Sequence, residues 1–246
     1  MRITVLGTGM VGRALAGKLS ELGHDVVVGT RDVDKTMARD EPDAMGNAPF
    51  AQWAKEHPDV KLAAFGEAAA HGTLVVNATN GAGSLDALEA AGGKNLDGKV
   101  LLDVSNALDS SKGMPPTLFV CNTDSLAERI QRAFPKARVV KSLNTVTAIL
   151  MVEPARLADG DHTIFLSGND ADAKATAREL LEAFGWRHVL DLGDITTARG
   201  PEMMMPAWLR IWNATQSPMF NYKIVSGAGG KAPAAATART ADVTTD

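Results

Sequence analysis

Three glycines, in the order Gly7-Thr8-Gly9-Met10-Val11-Gly12, follow directly on the apolar run Ile3-Thr4-Val5-Leu6. The chemistry open to this pattern is anion binding by backbone. A strand delivers the chain into a tight turn, and the N-terminus of a helix then presents free N–H groups and a positive dipole end to a dinucleotide pyrophosphate. Gly7 permits the turn, Gly9 lets the backbone approach the phosphates, and Gly12 lets the helix pack closely on the strand. Val11, Leu15, Leu19 and Leu22 recur at helical spacing, Gly23 stands where a C-cap belongs, and Asp25-Val26-Val27-Val28 reads as the next strand.

About 20 residues beyond such glycines, an NAD-binding unit carries an acidic residue for the ribose hydroxyls. Gly29, Thr30 and Arg31 occupy that place here, with Lys35 one helical turn on. A carboxylate would repel a 2′-phosphate, whereas a hydroxyl and two cations bind it. The expected cofactor is therefore NADP. Asp32 either turns back to the ribose or caps the following helix, and the capping role suits its position better.

A second set of candidates lies where ligands bind in open α/β sheets, beyond the carboxyl ends of the strands. The runs are Asn77-Ala78-Thr79-Asn80-Gly81, Asp103-Val104-Ser105-Asn106 and Lys141-Ser142-Leu143-Asn144-Thr145. Short amides and hydroxyls orient a ligand but are poor acids and bases. Asn80 and Asn106 equally suit turn formation. Lys141 is the candidate proton donor, with solvation or pairing to a phosphate as the alternative. The missing acid–base constellation fits hydride transfer between two bound redox rings, which needs proximity and orientation above all.

The elements that must position these residues alternate. Strands are expected at Ile3 to Leu6, Asp25 to Val28, Val60 to Phe65, Thr73 to Thr79, Lys99 to Ser105 and Ala137 to Leu143. Helices are expected at Phe50 to Glu56, Glu67 to His71, Ser84 to Ala91 and Ser125 to Phe134, with a Pro/Gly-bearing loop from Asp109 to Asn122. This is the signature of an α/β protein with a Rossmann-type, doubly wound, mainly parallel sheet. Past Asn144 the pattern loosens into a strand at Thr163 to Ser167, a helix from Asp170 or Asp172 to Phe184, a strand at Arg187 to Leu192, and a helical stretch from Glu202 to Tyr222 broken by Pro206 and Pro218. The expected division is a nucleotide domain over 1–145, a smaller C-terminal α/β capping or oligomerising portion over 146–226, and a flexible tail over 227–246.

Composition excludes several classes of function. A net charge of −4 over 246 residues, with no Lys/Arg cluster, offers no field for nucleic acid. Cys121 is the only cysteine and the five histidines are scattered, so neither disulfides nor a metal site are expected. No apolar run nears the roughly 20 residues of a membrane span, and the start reads as a strand rather than a signal peptide. A cytoplasmic protein is expected. Tyr222 is the only tyrosine and has Ser226 four residues on, which excludes a Tyr-x-x-x-Lys dehydrogenase, and no Gly-x-Ser-x-Gly elbow occurs.

With these motifs in place, the chain resembles the NADPH-dependent coenzyme F420 reductase family over Met1 to about Thr145, with a weaker echo to Trp212. The resemblance rests on the glycine loop, Leu22-Gly23-His24, Gly29-Thr30-Arg31, Asp103-Val104-Ser105-Asn106 and Val139-Val140-Lys141-Ser142-Leu143-Asn144-Thr145-Val146. The ferric-reductase domains of membrane metalloreductases look similar over the same stretch. The resemblance implies a nicotinamide over the ends of strands four to six. It also implies a second redox ring stacked on it in a cleft roofed by the C-terminal part, with Asn144 and Thr145 lining that cleft, and a homodimer acting on a small-molecule redox acceptor. The chain departs from the family's pattern at Asn77 to Gly83, at Ala107 in place of a proline, and at Leu143 in place of an aromatic residue. Met203-Met204-Met205, Trp208, Trp212, Met219 and Phe220 suit either core packing or a dimer seam, or an adaptable wall for a flat ring. A reductase of a small carbonyl or imine and a non-catalytic NADPH sensor are the rival readings.

Overall fold

The computed structural model describes residues 1–42 and 46–227. Among the described residues there are ten strands: β1 (Arg2–Leu6), β2 (Asp25–Thr30), β3 (Lys61–Ala64), β4 (Leu74–Asn77), β5 (Val100–Asp103), β6 (Leu108–Asp109), β7 (Thr117–Leu118), β8 (Arg138–Ser142), β9 (Thr163–Gly168) and β10 (His188–Gly193). Eight of them form one sheet in the order β10-β9-β8-β5-β4-β1-β2-β3, while β6 and β7 pair as a small antiparallel arm after β5. From β3 to β8 every neighbouring pair is parallel. With the arm set aside, the first six sheet strands run in the order of a dinucleotide-binding sheet, whose chain reversal lies between β1 and β4.

The helices are α1 (Met10–Glu21), α2 (Val33–Ala38), α3 (Phe50–Glu56), α4 (Phe65–His71), α5 (Ser84–Ala91), α6 (Gly93–Leu96), α7 (Leu126–Ala133), α8 (Ala148–Val152), α9 (Ala171–Ala183), α10 (Arg199–Met203) and α11 (Met205–Thr215). They cover both faces of the sheet, because parallel strands carry apolar side chains on both faces. On one face Ile3 and Val5 pack with Leu15 and Leu19 of α1, Phe50, Leu150 and Trp186. On the other, Leu6, Val75 and Leu101 pack with Phe65, Leu88, Leu126 and Ile130.

Side-chain chemistry sets the helix boundaries. Gly23, at φ +79, ends α1, and its N–H and that of His24 satisfy the carbonyls of Ser20 and Leu19. Asp32 caps α2 by accepting from Lys35 N at 2.9 Å, as its position suggested. Ser125 caps α7, its hydroxyl accepting the Glu128 N–H at 3.1 Å and donating to the Glu128 carboxylate at 2.8 Å. Asp170, rather than Asp172, caps α9.

The C-terminal portion departs from expectation in its connection. β9 pairs antiparallel with β8, and β10 lies parallel beside β9, so both extend the same sheet. The boundary expected at residue 145 thus falls between neighbouring strands of one sheet. The expected interruption at Pro206 is present: α10 ends at Met203, Met204 is a turn, and Pro206 stands in the first turn of α11, where its missing N–H costs nothing. The helix ends at Gln216, at φ +52, before Pro218 is reached. Of the expected flexible tail, only Gly227 lies within the described residues.

Candidate functional site

The glycine loop is built as its spacing dictates. Gly7, at φ +119, turns beneath strand β4, and a Cβ on it would come to 2.5 Å from the Ala78 carbonyl oxygen. A Cβ on Gly12 would come to 2.0 Å from the Gly7 carbonyl oxygen, so α1 lies as close to the loop as backbone permits. Gly9 differs from both, with nothing within 4 Å of its Cβ position. It is also the N-cap residue of α1, with no side-chain cap and no acidic residue in the first turn. The helix therefore presents its first N–H groups and its positive dipole end to open space.

That space is a cleft of about 680 Å³. Gly7, Thr8 and Gly9 line it, together with Gly29, Thr30, Arg31, Asp32 and Lys35 at and after the end of β2. Ala78, Thr79 and Asn80, where β4 finishes, line it beside the glycine loop. Arg31 and Lys35 are exposed, and Arg31 makes no hydrogen bond or ion pair among the described residues. The Lys35 ammonium stands 3.1 Å from the Asp32 carboxylate. The N–H and side-chain bonds from Lys35 hold that carboxyl below its ordinary pKa.

Thr30 takes a different part from the one its type suggested. Its hydroxyl lies 2.8 Å from that of Thr36, whose own proton goes to the Asp32 carbonyl oxygen at 2.7 Å. Thr30 is therefore the donor in that pair, and its proton is already committed to bracing the start of α2. Arg13, Thr36 and Arg39 also line the cleft and were not singled out from the sequence. Arg39 follows Lys35 by one helical turn, and that spacing was the available signal.

A second cavity, of about 160 Å³, opens at the carboxyl ends of β4 and β5. It shares Ala78, Thr79 and Asn80 with the large cleft and adds Val11, Gly81, Val104, Ser105, Asn106 and Leu108. No side chain in this lining is ionisable. The Asn106 backbone closes it tightly, for a Cβ on Gly81 would lie 1.9 Å from the Asn106 carbonyl oxygen.

Of the remaining expected site residues, Met10 and Gly12 line neither cavity; Met10 begins α1, and Gly12 lies under the loop. Asn77 is fully buried behind the cavities, not in their walls. Its amide donates to Asp103 at 2.8 Å and to Ser84 at 3.2 Å, and its oxygen accepts from the Thr79 hydroxyl at 2.6 Å.

Lys141 requires correction as a proton donor. It is 1% exposed, and its ammonium meets Asp103 at 2.8 Å, the Ser105 carbonyl at 2.5 Å and Glu202 at 3.1 Å. Three acceptors occupy its three protons. Burial alone would lower its pKa, but the carboxylates of Asp103 and Glu202 outweigh burial and raise it. A raised pKa with no open path to a ligand is the opposite of what a general acid requires.

Asn144 and Thr145 are likewise buried, at 3% and 1% exposure, and line neither cavity. Leu143 precedes them at φ +61, a conformation costly for a leucine and held by its burial in the core. The turn aims the Asn144 amide at Asn106 Oδ1 and the Pro201 carbonyl, both at 3.0 Å, while Asn106 donates to the Asn144 carbonyl at 3.0 Å. Asn144 thus acts through Asn106. The Thr145 hydroxyl is buried without a partner among the described residues.

The aromatic C-terminal helix does not roof either cavity. Trp208, Leu209 and Met205 pack with Leu108 and Leu118 of the arm and with Trp212, Phe220 and Tyr222. Met203 and Met219 of the same segment stand exposed. Among the described residues no group of three or more His, Cys, Asp or Glu could hold a metal ion, and no helix is long and apolar enough to cross a membrane.

The donor set fits a dinucleotide: open space over Gly9, an uncapped helix N-terminus, and on the rim an arginine with no partner among the described residues. Comparison with known proteins points the same way. Residues 2–107 match the family described as NADP oxidoreductase, coenzyme F420-dependent. A solved structure of a candidate F420-dependent NADP reductase from Arthrobacter sp. FB24 is 58% identical, with a TM-score of 0.87 over 92% of this chain and 100% of that one. The F420-dependent NADP reductase of Methanothermobacter marburgensis is 28% identical over 220 residues, covering 86% of this chain and 92% of that protein. The rat metalloreductase STEAP3 is 28% identical over 212 residues, 84% of this chain, which spans 38% of the metalloreductase's length.

Proposed function

Because this chain belongs to the coenzyme F420-dependent NADP oxidoreductase family, an NADP-dependent enzyme family, we propose that it moves a hydride between NADPH and a flat redox acceptor of the deazaflavin or flavin class, or delivers the equivalent two electrons, with release of a proton, to two equivalents of a metal chelate. Bound NADPH supplies the hydride. The α1 N-terminus over Gly9 binds the pyrophosphate, and Thr8 adds a hydroxyl beside it. Arg31, with Lys35 and Arg39, binds the 2′-phosphate, Arg31 giving a paired, planar contact that a lysine cannot. Ala78 to Asn80 and Ser105 to Asn106 hold the nicotinamide in the smaller cavity.

One observation carries this reading. The smaller cavity joins the dinucleotide cleft through Ala78, Thr79 and Asn80, and no ionisable side chain lines it. Hydride transfer to a conjugated ring leaves negative charge on a ring nitrogen that solvent can protonate. Reduction of an isolated carbonyl needs an acid at the oxygen, and the wall provides none. The test follows NADPH absorbance with purified protein against a deazaflavin, FMN, a ferric chelate and a panel of carbonyls and imines. Turnover with a ring or chelate acceptor is expected. Turnover confined to carbonyls would overturn the proposal, and tight NADPH binding without any turnover would favour a sensor.

A further inference from the structure

Next to Val104 and Ser105 of the smaller cavity's wall lies a chain of three charged side chains that themselves line neither cavity. Asp103, Lys141 and Glu202 are 0%, 1% and 2% exposed, and they come from the end of β5, from β8 and from α10. Lys141 stands between the two carboxylates, at 2.8 Å and 3.1 Å. Glu202 also accepts the Leu126 and Ala127 N–H groups at 2.7 Å and 3.0 Å, at the start of α7. The set carries a net charge of −1, which the positive end of α7 balances.

A buried set of this kind contributes little to stability beyond what apolar residues of the same volume would give. Its geometry shows what it organises. One Asp103 oxygen accepts from the Ser105 N–H at 3.2 Å, the Ser105 hydroxyl at 2.6 Å and the Asn77 amide at 2.8 Å. Lys141 takes the third polar group of that residue, the Ser105 carbonyl. Ser105 is therefore held at its nitrogen, its hydroxyl and its carbonyl oxygen. Asn106, the next residue, is clamped by Asn144, which in turn donates to Pro201, the residue before Glu202. Both strand ends that wall the smaller cavity, through Asn77 and Ser105, are tied to Asp103.

We propose that Lys141, held between Asp103 and Glu202, is a positioning residue that sets the Ser105–Asn106 turn against the nicotinamide. The proposal rests on that cavity receiving the ring. By this route α10, remote in sequence, fixes the wall of a pocket it does not touch. The adenosine end of the cleft, near Arg31, lies outside the network and does not depend on it.

The experiment measures affinity for NADPH and for 2′,5′-ADP, which lacks the nicotinamide, in wild type, in Lys141→Met, and in a variant that neutralises the set together (Asp103→Asn, Lys141→Met, Glu202→Gln). Fluorescence of the bound reduced nicotinamide is recorded in parallel. Lys141→Met is expected to keep 2′,5′-ADP affinity within about twofold while losing NADPH affinity about tenfold, with altered nicotinamide fluorescence. The triple variant is expected to regain thermal stability without regaining the NADPH-to-ADP ratio. Equal losses for both ligands, or a ratio restored along with stability, would reduce the network to a structural role and overturn the proposal. Wild type binding NADPH no more tightly than 2′,5′-ADP, with unaltered nicotinamide fluorescence, would instead overturn the assignment of the cavity. No acceptor enters the measurement, so the outcome is independent of which molecule takes the hydride.

Discussion

The carbonyl oxygen of Gly7 lies against the α-carbon of Gly12 so closely that a Cβ there would stand 2.0 Å from it. This contact seats the α1 N-terminus on the loop, and it separates two glycines that look alike in the sequence. Gly12→Ala must push α1 off the loop, at a cost of roughly 1–3 kcal/mol in stability and more than about tenfold in NADPH affinity. Gly9→Ala meets no protein atom within 4 Å. It should melt at the wild-type temperature and still lose NADPH affinity about tenfold or more, because the added methyl occupies space left for phosphate. Thermal melts paired with NADPH titrations check both; a destabilised Gly9→Ala would sink the contrast.

Arg31 is free of partners among the described residues, while Lys35 shares its charge with Asp32. Arg31→Ala should cost roughly ten- to a hundredfold in NADPH affinity and leave NADH affinity nearly unchanged. Asp32→Asn retains a capping residue but removes the competing charge, so it should tighten NADPH binding modestly at low salt. That gain should fade as salt rises. Equal losses of NADPH and NADH affinity in Arg31→Ala would remove the 2′-phosphate assignment.

The Thr145 hydroxyl is buried without a partner among the described residues. An unpaired buried polar group costs about 1–3 kcal/mol, so Thr145→Val should leave the cofactor-free protein as stable as wild type or more so. If the hydroxyl meets the cofactor, the same variant loses NADPH affinity. Calorimetry with and without NADPH reads both signs. Lower stability without the cofactor would show that the hydroxyl has a partner after all.

Asp124 is held at a pKa of about 2 by its bonds to Arg132, which outweigh its partial burial, with Arg129 adding to the effect. Its folded pKa lies below its unfolded one, so its contribution is complete above about pH 4 and disappears as the pH falls toward 2. Solvent around the two arginines, 60% and 40% exposed, limits that contribution to ~1 kcal/mol. Glu128, lowered by Arg199 against its burial, titrates in the same direction. Asp124→Asn should therefore flatten the fall in melting temperature between pH 4 and pH 2, and an unchanged acid limb would contradict the assignment.

Much of the fold was legible because local chemistry and tertiary packing agree. All eight strands of the sheet, the α3 and α5 boundaries, and the caps at Asp32 and Ser125 follow from apolar periodicity and short polar side chains. The arm at β6 and β7 and the short helix α8 were not legible. Two-residue strands and a five-residue helix carry too little pattern to stand out from loop. The pairing of β9 with β8 was hidden for another reason, since strand direction depends on the path of a connection and not on composition.

The sequence by itself determined the tight glycine loop ahead of α1, the presence of Arg31 and Lys35 where an acidic residue could stand, and a set of strand ends rich in amides and hydroxyls. These depend on residues adjacent in the chain or one helical turn apart, where spacing alone fixes geometry. Only the tertiary structure decided what the strand-end residues do. Lys141 reads as an acid when taken alone; it is a buried, fully bonded cation because Asp103 and Glu202, 38 and 61 residues away in the chain, close on it. Thr30 reads as a phosphate ligand until Thr36 and Asp32 account for its proton. The chemistry of a polar side chain depends on which partners have already taken its protons and lone pairs, and those partners are brought together only by folding.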